Sequence, residues 1–284
     1  MIQLGNFNTL RILRHNDHGL YLAGDDKTGP ILLPNRFVTP QMHIGDEIEV
    51  FVYLDQEERI VATTEQPLAK VGEFACLEVA WTNQYGVFLR WGLMKDLFCP
   101  FREQKQPMHQ GRSYIVYIKV DEESYRLMAT AKVERYLTTP TPASLPHLQH
   151  GTAVDILVWQ KTDLGFKVIV DNRYQGQIYD NQIFQPLHTG DRLTAYVDHV
   201  RLDGKIDLTV QPTGRQQTLD FAEVLLRYLY ENNGHCELDD HSPSDLIADR
   251  FKVSKKVFKK AVGDLYRRRL ITIREDGIEA LEDK

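Results

Sequence analysis

The chain reads as mainly β with a C-terminal α+β domain, and three observations predict it. Glycine landmarks recur at near-constant offsets. Gly5, Gly72 and Gly151 stand 67 and 79 positions apart, as do Gly19, Gly86 and Gly165, while Gly45, Gly111 and Gly190 follow at 66 and 79. Such recurrence means one module used three times. Each copy carries short apolar runs of strand type, and from Thr218 the apolar period becomes helical.

In the first copy Leu10-Arg11-Ile12-Leu13 leads through a polar turn, His15-Asn16-Asp17-His18, into Gly19-Leu20-Tyr21-Leu22. Ile31-Leu32-Leu33-Pro34 follows, then a turn at Gly45-Asp46. Ile48, Val50, Val52 and Leu54 alternate with Glu49, Phe51 and Tyr53, the period of a half-buried strand, and Ile60-Val61-Ala62-Thr63 closes the unit. The second copy repeats the plan with strands at 75–79, 86–89, 96–99, 114–118 and 127–130, and the third at 154–158, 166–170, 176–179, 193–197 and 205–210. Five short strands per unit suit a small closed barrel of the OB type, because closure removes exposed edges. An open four-stranded sheet with long loops is the alternative. The expected modules are 1–66, 67–135 and 148–212, with a Pro-containing linker at 136–147.

The C-terminal module, 218–284, places Phe221, Val224, Leu225, Tyr228 and Leu229 at three- and four-residue steps, ending at Asn232-Asn233-Gly234. Ser242-Pro243 opens a second helix and Ser254 caps a third carrying Val257, Phe258, Ala261, Val262 and Leu265. Strands at 270–273 and 278–280 flank a turn at Asp276-Gly277, which completes a winged helix-turn-helix. Ten basic residues face one acid between Arg250 and Arg274, whereas eight acids face one base between Thr218 and Asp249. At about 100° per residue, Lys255, Lys256, Lys259, Lys260 and Arg267 share an arc of roughly 140° opposite the apolar stripe, with Gly263 inside it. A solvated cationic face is the plain explanation. The recognition-helix position favours phosphate contact over base reading, since lysine is a point charge.

A net charge of −6 argues against coating nucleic acid non-specifically, but not against a local basic surface. No run approaches the ~18 apolar residues that span a bilayer, and the N-terminus lacks a secretory pattern, so no membrane is expected. Three cysteines far apart, Cys76, Cys99 and Cys236, give neither a disulfide framework nor a metal motif, and a reducing cytoplasm is the expected location. His235-Cys236 with Asp239, Asp240 and His241 lacks zinc spacing and reads as a solvated loop between helices. His15 and His18 lie in a strand-connecting turn, and Asp25-Asp26 is an isolated acidic turn. No phosphate-binding loop, nucleophile elbow or HExxH helix occurs. No metal, cofactor or catalytic residue is assigned, and the chain is expected to be non-enzymatic.

Barrels of this type bind single strands by stacking bases on aromatic rings while basic side chains follow the backbone. Tyr21 and Phe88 occupy one place in copies one and two, and Lys167 replaces them in the third. Tyr85 precedes Gly86, and Arg90 and Lys95 supply charge nearby. Copy three offers Lys161, Phe166, Lys167, Arg173, Tyr174 and Tyr179. Against this, aromatics favour strands for packing alone. Phe51, Tyr117 and Tyr196, at equivalent outward positions, could equally join neighbouring barrels.

Tyr85-Gly86-Val87-Phe88-Leu89, then Gly92-Leu93 and Gly111 before the long strand, resembles the signature of S1-type RNA-binding domains. So do Gly165-Phe166-Lys167-Val168, Gly176-Gln177-Ile178-Tyr179-Asp180, Gly190-Asp191-Arg192-Leu193 and Asp203-Gly204-Lys205-Ile206-Asp207-Leu208. The first copy departs most, with Gly29-Pro30-Ile31-Leu32-Leu33-Pro34 where S1 domains carry Gly-Leu-Val-His. Three tandem S1-like OB-fold five-stranded barrels followed by a winged helix resemble the YitL-type family, which includes the conserved virulence factor B proteins. The resemblance implies stacking by Phe88, single-stranded RNA as partner, and regulation of gene expression at the RNA level. The winged helix adds a surface for phosphate, duplex nucleic acid or a protein partner. A DNA-binding transcription regulator and a protein-interaction scaffold on a ribosome or RNA-processing assembly are the alternatives.

Overall fold

Each glycine that opens the second strand of a copy lies against the backbone of the third. A Cβ at Gly19, Gly86 or Gly165 would stand 2.0, 2.4 and 2.0 Å from the carbonyl oxygens of Leu33, Cys99 and Ile178. No side chain fits there, which is why this landmark recurs. The computed structural model describes residues 1–183, 186–211, 215–274 and 276–281. The expected ends of the third barrel at Pro212 and of the last module at 282–284 lie outside them.

Barrel 1 comprises β1 (Asn6–Asn16), β2 (Gly19–Leu22), β3 (Ile31–Pro34), β4 (Glu47–Leu54) and β5 (Ile60–Thr63). Barrel 2 comprises β6 (Phe74–Thr82), β7 (Gly86–Arg90), β8 (Leu97–Pro100), β9 (Ser113–Val120) and β10 (Leu127–Thr130). Barrel 3 comprises β11 (Ala153–Thr162), β12 (Gly165–Val170), β13 (Tyr174–Tyr179), β14 (Arg192–Val200) and β15 (Ile206–Thr209). All three close in the order first-second-third-fifth-fourth, with the third and fifth strands parallel. The first strand of each barrel runs longer than the apolar pattern suggests. One end of β1 pairs with β4 and the other with β2, so His15 and Asn16 are strand residues rather than turn residues.

The chain forms two compact units, Met1–Leu137 and Thr138–Lys284. In the first, barrels 1 and 2 share a core. Val50 and Val52 fill barrel 1, while Phe51 and Tyr53 on the opposite face of β4 pack with Trp91 and Leu93 of barrel 2. The Phe51 ring meets Phe7 and Trp91 edge-on at 5.2 and 5.8 Å. Phe51 therefore joins barrels, and Tyr117 stacks on Tyr136 at 4.0 Å.

Asp25 organises its turn by accepting hydrogen bonds from Ile2 N–H, Lys27 N–H, Thr28 N–H and the Thr28 hydroxyl. The Ile2 amide, followed by the Thr28 and Lys27 donors, holds its carboxyl down at about 2 against an opposing desolvation effect. A depressed folded pKa gives stabilisation that is complete above the ordinary carboxylate range and lost as pH falls through the folded value. Hydrogen exchange at the Ile2 amide should accelerate relative to Asp25→Asn between about pH 4 and 2. Equal pH dependence in both proteins would refute the anchor.

In the second unit, α1 (Arg215–Glu231), α2 (Ser244–Phe251) and α3 (Lys255–Arg267) surround Leu225, Leu229, Ile247, Phe258 and Leu265. Ser254 caps α3 by accepting from Val257 N–H. The wing has three strands: β16 (His235–Cys236), β17 (Ile271–Arg274) and β18 (Gly277–Ala280), with β18 central. His235-Cys236 is thus a strand, correcting the loop expected there. Cys236 is buried because its register partner, Ile278, belongs to the same core.

Candidate nucleic-acid interface

A β-bulge in the first strand of every barrel sets the surface that follows. The register shifts between Ile12 and Arg14, between Val79 and Trp81, and between Val158 and Gln160. One extra residue turns the next side chain to the outer face. From there a row of register partners crosses all five strands. In barrel 2 the row is Trp81, Phe88, Phe98, Met128 and Lys119. In barrel 1 it is Arg14, Tyr21, Leu32, Val61 and Tyr53. In barrel 3 it is Gln160, Lys167, Gln177, Asp207 and His199.

The barrel 2 row begins with three aromatic rings. Trp81 and Phe88 stack at 3.6 Å with planes 5° apart, and Phe98 tilts against Phe88 at 5.0 Å. Trp81 is 44% exposed, and its indole N–H donates to Asp96 Oδ2 at 3.0 Å. Phe88 and Phe98 open onto a cleft of roughly 780 Å³, which Tyr85, Asp96, Phe101, Arg102 and Arg126 also line. Tyr85 is 65% exposed at its rim. Leu54 at the end of β4 and Glu58 in the β4–β5 turn of barrel 1 complete the wall, so the cleft belongs to both barrels of this unit.

Of the residues expected here, Tyr85, Phe88 and Lys95 come together in the cleft, while Arg90 does not line it and pairs with Glu78 at 3.0 Å. Lys95 is an inter-barrel strut. Its Nζ donates to the Asp55 carbonyl at 2.6 Å, and burial pushes the ammonium pKa down, against Glu58 and Asp55. Trp81, Phe98, Phe101, Arg102 and Arg126 were not expected. Two-residue alternation after Leu77 and Val79 would send Trp81 inward, and only the bulge brings it out. Cys99 faces the barrel interior, and burial lifts its thiol to about 12, well away from a reactive thiolate.

Tyr21 lies half-buried beneath the Arg14 guanidinium, 4.4 Å from its ring. The far half of its row, Val61 and Tyr53, is consumed in packing against barrel 2. In barrel 3 two expected contacts are corrected: Phe166 and Tyr174 are 7% and 6% exposed and belong to its core. Both point inward on their strands, leaving little ring face for a ligand. Lys161 pairs with Asp180 at 2.5 Å and lies over the Phe166 ring. Lys167 lies 5.6 Å from the Trp159 ring, and Arg173 lies 5.4 Å from that of Tyr174. Tyr179 is half-buried, and its hydroxyl accepts from Arg201. Arg201 also grips buried Asp207 through Nε at 2.9 and 3.0 Å, and His199 Nε2 stands 3.2 Å from the same carboxylate. Gln160, Lys167 and Gln177 thus stand where barrel 2 has its rings, and the ion-pair network takes the far end of the row, where barrel 2 has Met128 and Lys119.

On α3, Lys259 pairs with Asp240 at 3.1 Å and Lys255 donates to the His241 carbonyl at 3.0 Å. Arg267 donates to the Gly263 carbonyl and lies 3.7 Å from Asp264. Lys256 and Lys260 are exposed with no ion pair or hydrogen bond from their side chains among the described residues. Part of the cationic arc is therefore spent holding the 239–241 loop.

Residues 4–65 match the S1 domain family, and residues 223–279 match the CvfB-like winged helix domain family. YitL of Bacillus subtilis is 29% identical over 90% of this chain and 87% of its own length. The chain is similar to the YitL and conserved virulence factor B proteins over most of its length. Conserved virulence factor B of Staphylococcus aureus (strain USA300) is 21% identical over 86% of this chain and 82% of its own. A crystal structure of a multidomain protein with nucleic acid binding domains from Streptococcus pneumoniae aligns over 98% of each chain, with 23% identity and a TM-score of 0.44. The S1 match falls on barrel 1, the copy whose motif departs most from the pattern.

Proposed function

We propose that this protein binds single-stranded RNA without catalysing a reaction, acting as a post-transcriptional regulator in the cytoplasm. Its modules are 1–66, 67–135, 148–212 and 218–284, joined before the third barrel by 136–147. The observation that carries the proposal is the aromatic row of barrel 2, open on a cleft rimmed by exposed Tyr85. Stacking on such rings is the sequence-tolerant way to hold unpaired bases. The S1 domain match and the winged-helix match support a nucleic-acid ligand. No described helix is long and apolar enough to cross a membrane. Lys256 and Lys260 on α3 serve as phosphate contacts that add to the cleft through linked binding.

Mixed-base RNA oligomers of increasing length test the proposal. Affinity should rise with length and fall with salt. Lys256→Ala/Lys260→Ala should lessen the slope of log affinity against log salt by about 1.4, since each phosphate neutralised on a single strand contributes about 0.7. An unchanged slope would remove α3 from the interface. Preference for duplex DNA in direct competition would replace the RNA assignment with the transcription-factor alternative.

A further inference from the structure

We propose that the barrel 2 cleft receives a nucleobase by its amino-bearing edge and excludes the phosphate attached to it. The inference rests on the RNA-binding function proposed above and specifies what the aromatic cleft selects. Its basis is the commitment of charges around the rings. Every cation lining the cleft already has a partner. Lys95 donates to the Asp55 carbonyl at 2.6 Å, Arg126 pairs with Glu58 at 2.5 Å, and Arg102 lies 3.8 Å from Asp121. Of the four lining acids, Glu58 and Asp121 are the partners of those arginines and the other two are not so engaged. Asp96 accepts from the Trp81 indole through Oδ2 alone, and Glu123 has no ion pair or hydrogen bond among the described residues.

A phosphodiester entering this cleft would meet the unpaired carboxylate oxygens of Asp96 and Glu123 and, among the described residues, only cations that already share a partner, which disfavours it relative to a neutral base. A base meets the opposite situation. Its flat face has the aromatic lining of the cleft, Phe88, Phe98 and the exposed Tyr85, with Trp81 stacked against Phe88. Asp96, which accepts from the Trp81 indole N–H, lines the same cleft as Phe88 and Phe98, so a base lying on these rings has a carboxylate in its surroundings. Carboxylates accept from exocyclic amines, as Asp and Glu do from cytosine N4. Adenine, cytosine and guanine carry such an amine. Uracil does not, and it flanks its one imide N–H with two carbonyl oxygens that face the carboxylate unfavourably. A cleft of roughly 780 Å³ falls in the range of pockets that enclose small ligands, so one or two nucleosides fit. The chain thus divides recognition: bases at barrel 2, phosphates on α3.

Full-length protein should bind oligo(C) about tenfold more tightly than oligo(U) of the same length, about 12 nucleotides, a span that OB folds accommodate. One tenfold step lies at the low end of the discrimination expected for a good base contact. Asp96→Asn, which keeps an acceptor for the Trp81 indole, should bring the two affinities to within about twofold. Cytidine should displace labelled oligo(C) at least as well as cytidine 5′-monophosphate. Equal affinity for the two oligomers in wild type, a preference unmoved by Asp96→Asn, or stronger displacement by the monophosphate would each overturn the inference. Should Asp96→Asn fail to fold, the wild-type oligomer comparison and the nucleoside competition still decide. The parent proposal fails differently: neither oligomer binds, or both bind equally well to Tyr85→Ala/Phe88→Ala.

Discussion

Replacing Tyr85 and Phe88 together by alanine is expected to weaken single-stranded RNA binding on the order of a hundredfold, with the fold retained. The magnitude follows from stacking, because each stacked base contributes about 1–3 kcal/mol by alanine substitution. Two rings at the low-to-middle of that range give about 3 kcal/mol, or roughly 150-fold. Tyr85 is 65% exposed, and what fixes its position is backbone: its N–H donates to Asn83 Oδ1 at 2.8 Å and its carbonyl accepts from Phe101 N–H at 3.1 Å. Losing its ring should therefore barely disturb stability. Phe88 is half-buried between Trp81 and Phe98, so its truncation should cost about 1–2 kcal/mol, less than the 3–5 typical of a fully buried ring. Two further variants separate stacking from shape. Tyr85→Phe keeps the ring and should bind like wild type, whereas Phe88→Leu keeps bulk without a π face and should lose most of the Phe88 contribution. Equilibrium titration with a fluorescent oligomer, alongside thermal melting, reads both quantities. Wild-type affinity in a folded double mutant would dismiss the cleft as the binding site.

The barrels were legible in the sequence because each strand alternates around a fixed interior and each glycine landmark answers a backbone constraint. Gly86, for example, cannot be replaced without striking Cys99. The site was legible only in part. Tyr85 and Phe88 stand beside the landmark glycine, so the motif itself points to them. Trp81 and Phe98 reach the same surface through cross-strand register, and Trp81 through a bulge that breaks local alternation. Neither event leaves a mark in the residues nearby. Phe166 and Tyr174 misled for the opposite reason. Each is an aromatic on a strand flanked by a cation, and only the direction of the pleat decides whether its ring faces core or solvent. The small strand at His235–Cys236 was hidden because two residues are too few to show a period.

The third barrel carries the other large effect, on stability rather than on binding. Asp207 is 5% exposed, and the Arg201 guanidinium satisfies both its oxygens while also donating to the Tyr179 hydroxyl. Arg201→Ala leaves that carboxylate buried with His199 as its remaining ionic neighbour. Breaking a buried pair from one side costs about 3–5 kcal/mol, because the charge left behind is desolvated without compensation. Arg201 is itself about a third exposed, so water can enter the gap and the expected loss is smaller, about 2–3 kcal/mol. Removing both charges is a different matter. Arg201→Met/Asp207→Leu replaces the pair with apolar side chains of similar volume and should restore stability to within about 1 kcal/mol of wild type. Because a chain with several modules need not unfold in one step, the measurement is native-state hydrogen exchange at amides of β14 and β15 rather than a global melt. The same variants test what this face is for. If the ion pair serves the fold of barrel 3 rather than a ligand, Arg201→Ala should loosen barrel 3 and leave oligomer affinity within about threefold of wild type. A tenfold loss of RNA affinity with unchanged exchange would instead make Arg201 a ligand contact and give barrel 3 a binding face of its own.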